Sequence, residues 1–144
     1  MKIHDRPWVI AKRKVEKGLS MLRLLELDTE FPFNRYAERL NVIWSFRQTG
    51  VDDVPADNES DEMERFENRI CDYIEKSELA VLCMVFTEPG YREYVFYARD
   101  VEPFLDGLSE ISEEDEPYPI EIHHESDGSG TLYHSYANKV LKRS

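Results

Sequence analysis

The chain has 144 residues, 41% of them hydrophobic and 12% aromatic, which is enough for one self-sufficient core and too apolar for a wholly disordered chain. Its net charge of -12 is unevenly spread: residues 1–48 carry ten Lys/Arg against six Asp/Glu, and residues 49–144 carry eight against twenty-four. Such a field repels phosphate backbones, so it argues against ordinary nucleic-acid binding, and it attracts a basic protein.

Pro7 to Val15 and Leu19 to Leu27 are rich in Val, Ile, Leu and Met. Between them Glu16-Lys17-Gly18 reads as a hairpin turn whose Gly supplies a positive φ. Lys12, Arg13 and Lys14 give the first strand a basic end that blunts an exposed edge. Residues 28 to 39 form a connection whose aromatics, Phe31, Phe33 and Tyr36, tuck it onto the core. Leu40, Val42, Trp44 and Phe46 then alternate with Asn41, Ile43, Ser45 and Arg47, the period of a half-buried strand.

After the Gly50–Asn58 loop, Ser60 is the expected cap of a helix running to about Ser77, with Asp61, Glu62 and Glu64 at the positive end of its dipole. Met63, Phe66, Ile70, Tyr73 and Ile74 make its apolar stripe, leaving Glu64, Arg65, Asp72 and Glu75 toward solvent. Leu79 to Arg99 reads as a second hairpin turning at Glu88-Pro89-Gly90. Its first strand is apolar on both faces and needs cover on both. Asp100 is the expected cap of a short helix with Val101, Phe104, Leu105, Leu108 and Ile111 inward. Glu110 to Glu116 is an acidic loop, and Pro119 opens an edge strand with Ile120, Ile122 and His124 on one face and Glu121, His123 and Glu125 on the other. Asp127-Gly128-Ser129-Gly130 reads as a flexible break before a tail helix over 131–142 with Leu132, Tyr133, Tyr136, Val140 and Leu141 inward.

This order predicts a single α+β domain over residues 1–144. A ferredoxin-like β-α-β-β-α-β sandwich spans 40–125, extended by the N-terminal hairpin and connection at 7–39 and by the C-terminal helix. The right-handed crossover rule puts both core helices on one face, and the N-terminal hairpin is the available cover for strand 79–87. Val95, Tyr97 and Arg99, with Ile43 and Arg47, then line the other face. Exposed, they would resemble a base-stacking RNA surface; the apolar tail helix is expected to cover them instead.

Arg92-Glu93-Tyr94-Val95-Phe96-Tyr97-Ala98-Arg99-Asp100, followed by Phe104-Leu105 and by Tyr118-Pro119-Ile120-Glu121-Ile122, resembles the bacterial family catalogued as domain of unknown function 695. Pro7-Trp8-Val9 and the strand ending near Trp44 are also similar to that family, over about residues 7 to 142. The resemblance carries no catalytic residues with it. In architecture and charge alone, the chain is similar to the regulator B proteins that bind and inhibit bacterial ribonuclease E.

Cys71 and Cys83 lack C-x-x-C spacing and sit among apolar residues, as buried free thiols in a reducing compartment do. Met1 to Asp5 lacks a signal core, and the run from Leu79 to Phe86 is far shorter than the roughly 20 residues a membrane span needs. A cytoplasmic protein without a membrane partner is expected. Glu121, His123, Glu125 and His134 are the one combination of metal-ligand types, and a solvated edge strand is the better account of them; no metal and no cofactor is expected. No G-x-S-x-G turn or phosphate-binding glycine loop is present. The leading expectation is a non-enzymatic acidic domain that binds a basic protein as inhibitor, adaptor or immunity-like factor, through Asp57, Glu59, Asp61, Glu62, Glu113, Glu114, Asp115, Tyr97 and Arg99. The alternative is a small hydrolase using carboxylates and His123.

Overall fold

A computed structural model of the chain describes residues 7–16, 18–47, 49, 53–111 and 117–142. Six strands, β1 (Trp8–Val15), β2 (Gly18–Leu25), β3 (Glu38–Ser45), β4 (Ala80–Glu88), β5 (Tyr91–Ala98) and β6 (Ile120–Ser126), form one sheet in the order β1-β2-β4-β5-β3-β6. Every neighbouring pair is antiparallel. Among the described residues three α-helices, α1 (Asp57–Lys76), α2 (Val101–Glu110) and α3 (Thr131–Val140), and a short 3-10 helix at Phe33–Arg35 complete the α+β fold.

The first hairpin turns on Gly18, whose φ of 97° is in the left-handed region that a side chain disfavours. Its second strand pairs with β4, Leu22 opposite Phe86 and Leu24 opposite Met84, so β4 becomes an interior strand. That explains its continuous apolar run: both of its edges and both of its faces are covered. A bulge between Leu82 and Met84 places Cys83 and Met84 together on one face, against Val95 and Tyr97, while Leu82 and Val85 stay on the other.

The two faces carry separate cores. On one, Leu40, Val42, Trp44, Tyr94 and Phe96 meet Met63, Phe66, Ile70 and Ile74 of α1 and Phe104 of α2. Each such fully buried large side chain contributes about 1.5–3 kcal/mol. On the other, Leu22, Leu24, Val81, Val95 and Tyr97 are covered by Phe33 and Tyr36 from the 28–36 connection and by Tyr133 and Ala137 of α3. The expected cover for this face is therefore present, and both cysteines are free, Cys83 buried and Cys71 half-buried.

Two local expectations change. The long helix starts at Asp57 with Ala56 in the cap position, so Ser60 lies inside it and Glu59 joins its first turn. Asp127 to Gly130 is a packed turn: Asp127 is buried, its N–H donates to Ala37 O at 2.7 Å, and Gly130 N donates to Asp127 O at 3.0 Å. Gly130 has φ of 64°, and a Cβ there would lie 2.6 Å from the Phe33 ring, so glycine alone fits. Asp100 holds the expected cap position of α2, but its side chain makes no capping bond.

Candidate protein-binding surface and a groove on the opposite sheet face

A 20-residue helix over a sheet must turn one stripe inward and one outward, and α1 sorts its acids accordingly. Asp57, Asp61, Glu64 and Asp72 are exposed, at the four-, three- and eight-residue spacings that keep them on one side of the helix. Glu59 and Glu62 are not on that surface: they are 4% and 8% exposed. Glu59 accepts from Trp44 Nε1 at 2.8 Å and from the Arg47 backbone N–H at 2.9 and 3.0 Å. Glu62 accepts from Arg47 Nη1, and Arg47 Nη2 donates to Pro117 O at 2.8 Å. These two carboxylates therefore clamp the end of β3 to α1, and Arg47 belongs to this clamp and not to the opposite sheet face.

Tyr97 is likewise withdrawn, with no measurable exposure, because α3 and Phe33 lie over it; the Phe33 ring centroid is 4.9 Å away. Its hydroxyl donates to Asp127 Oδ2 at 2.7 Å and accepts from Tyr133 N at 3.2 Å. Burial, reinforced by the Asp127 carboxylate, pushes the Tyr97 phenol well up. Arg99 is exposed and donates to Tyr36 Oη at 3.2 Å, with its guanidinium 5.1 Å from that ring. Glu113, Glu114 and Asp115 lie outside the described residues.

Asp127 escapes sequence reading although it organises this corner. Besides Tyr97, it accepts from Thr131 N at 2.8 Å, from Leu132 N at 3.1 Å and from Arg39 Nη1 at 3.0 Å. Burial alone would raise its carboxyl; the hydrogen bonds from Tyr97, the two helix amides and Arg39 outweigh it and hold the group below the usual range. An Asp followed by Gly-Ser-Gly signals a turn in any sequence. Only the apolar start of the next helix hints that it is a cap.

Arg39 also donates through Nη2 to Glu125 and through Nε to Asn41 Oδ1 at 3.2 Å, and Asn41 Nδ2 donates to Glu93 at 2.6 Å. These side chains, with Ile43, His123 and His124, line an open groove of about 310 Å³ across β5, β3 and β6. His123 Nε2 and Glu121 Oε2 are 2.7 Å apart, both well exposed. Of the other combination of ligand types, Glu125 pairs with Arg39, and His134 lies edge-on to Phe33 at 5.2 Å. Among the described residues no group of three or more His, Cys, Asp or Glu is arranged to hold a metal ion. The cysteines are unsuited to nucleophilic chemistry: burial pushes the Cys71 thiol up to about 12 and Cys83 well above its usual value. No helix among the described residues is long and apolar enough to cross a membrane.

No curated protein and no solved structure matches this chain. The profile of a family of unknown function, DUF695, matches residues 6–137, nearly the whole length, and the chain belongs to that family.

Proposed function

We propose that this chain is a non-catalytic bacterial, cytoplasmic domain that docks on a basic surface of another protein through the outer side of α1. The observation that carries the reading is the division of acids on that helix. Glu59 and Glu62 are consumed by Trp44 and Arg47, whereas Asp57, Asp61, Glu64 and Asp72 project from one side of a rigid 20-residue rod. A stripe held on a helix presents charge with little entropy to lose on binding, and it steers a basic partner from a distance. The scaffold behind it is, on this reading, ferredoxin-like: the order β4-β5-β3-β6 with α1 and α2 packed on one face supports the split β-α-β arrangement.

The experiment is capture from a bacterial lysate on the immobilised chain, compared with an Asp57→Asn, Asp61→Asn, Glu64→Gln, Asp72→Asn variant at low and moderate salt. Basic proteins retained by the wild type, released by salt and missed by the variant support the reading. Identical retention by both chains, or no salt-sensitive retention, overturns it. A hydrolytic reading rests instead on the His123–Glu121 pair at the rim of the open groove. It requires turnover of a small ester or amide that His123→Ala abolishes.

A further inference from the structure

The sheet ends in two strands whose outer edges are complementary. Along β1, Glu26 N donates to Pro7 O, and the register pairs Val9, Ala11, Arg13 and Val15 with Leu24, Leu22, Ser20 and Gly18. Antiparallel bonding alternates, so these odd residues bond inward and Trp8, Ile10, Lys12 and Lys14 turn their N–H and C=O groups outward. At the far end, Ser45 N donates to Pro119 O and Asp127 N to Ala37 O, which makes Glu121, His123 and Glu125 the inward-bonded residues of β6. Ile122, His124 and Ser126 therefore present the outward N–H groups.

Three features match between these edges. The strand directions alternate across β1-β2-β4-β5-β3-β6, so β6 of one copy lies antiparallel to β1 of a copy continuing the same sheet. Lys12, Arg13 and Lys14 are exposed on one edge, and Glu121 and Glu125 on the other. Ile10 and Ile122, 57% and 37% exposed, stand on the same face of the sheet. Pairing like edges by a two-fold axis through Arg13 would instead set Lys12 against Lys14, and one through His123 would set Glu121 against Glu125. The distant acids of the chain oppose association weakly, because charges more than about 10 Å apart are screened at ordinary salt.

We propose that β6 of one molecule accepts β1 of a second copy as the next antiparallel strand, with Arg13 opposite Glu121 and Ile10 diagonal to Ile122. In this register Ile122 faces Lys12 and His124 faces Ile10, so outward amides meet outward carbonyls, and Arg13 and Glu121 form a close non-hydrogen-bonded pair. The interface is heterologous, so it adds copies head to tail without closing on a dimer.

Sedimentation of the full chain over rising concentration at low and high salt tests this. Salt-sensitive growth beyond a dimer is expected. Arg13→Glu and Glu121→Arg should each weaken it about tenfold, and the double charge swap should restore it. Ile122→Pro removes one outward N–H without touching the β3 ladder and should block growth while far-ultraviolet circular dichroism stays native. Mixed Arg13→Cys and Glu121→Cys chains should form a disulfide across the pair, whereas neither chain should cross-link to itself. A monomer at every concentration overturns the proposal. So does association that ignores both charge reversals, or self-cross-linking of Arg13→Cys alone.

Discussion

Asp127→Ala should loosen the N-terminal end of α3 on the sheet, while Tyr133 and Ala137 still hold the helix to the core. The lost helix cap costs about 1 kcal/mol. The buried Tyr97 hydroxyl, left without its acceptor, costs about 1–3 kcal/mol more, while Arg39 keeps Glu125 and Asn41 and adds little. The sum, about 2–4 kcal/mol, is a large part of the 5–15 kcal/mol expected for a domain. Urea unfolding followed by circular dichroism measures it. A second readout is Cys83, buried in the core that α3 covers: in a Cys71→Ala background its reaction with a thiol reagent should accelerate under native conditions. The sign of the pH dependence follows from the depressed carboxyl. Asp127 contributes fully above the ordinary aspartate range, and that contribution disappears as pH falls through its lower folded value. Wild type and Asp127→Ala should therefore differ most near neutrality and converge in strong acid. A loss under about 1 kcal/mol together with unchanged Cys83 reactivity would refute the reasoning.

Gly130→Ala should cost about 2–4 kcal/mol in urea unfolding, because the positive φ and the Phe33 ring both oppose a Cβ. Glu59→Ala should cost a similar amount, about 2–4 kcal/mol, by stranding the Trp44 indole N–H and the Arg47 amide, and it should shift the Trp44 emission spectrum. Asp57→Asn should cost about 0.3–1 kcal/mol, since the residue is exposed but its charge stands in the first turn of α1, at the positive end of the helix dipole.

Periodicity served best where a pattern has one physical solution. The alternation from Leu40 to Arg47 placed β3, and the two-sided apolarity of β4 required a neighbour that β2 supplies. Spacing along α1 placed Met63, Phe66, Ile70 and Ile74 inward, and these are buried. It failed where a polar side chain is held by a partner remote in sequence. Tyr97 reads as a strand aromatic that the tail helix is expected to cover and also as a binding residue, and its bonds to Asp127 and Tyr133, with Phe33 above, withdraw it from that binding role. The start of α1 was missed for a different reason: Ser60 is a good cap by propensity, yet the helix extends back to Asp57 because Glu59 is fastened to Trp44 and Arg47.

Adjacent acids on α1 give the sharpest separation of fold from binding. Asp61 and Glu62 are neighbours of equal charge, so composition treats them alike, but a 100° turn per residue sends one to solvent and the other against Arg47. Glu62→Lys would set a second cation beside Arg47 in a half-buried clamp, at a cost of about 2–4 kcal/mol, loosening β3 from α1. Asp61→Lys should leave the urea midpoint within about 0.5 kcal/mol of wild type and still reduce retention of basic partners. Equal destabilisation by the two reversals would mean that Asp61 also supports the fold, and the outward stripe would then lose its claim to be free for a partner.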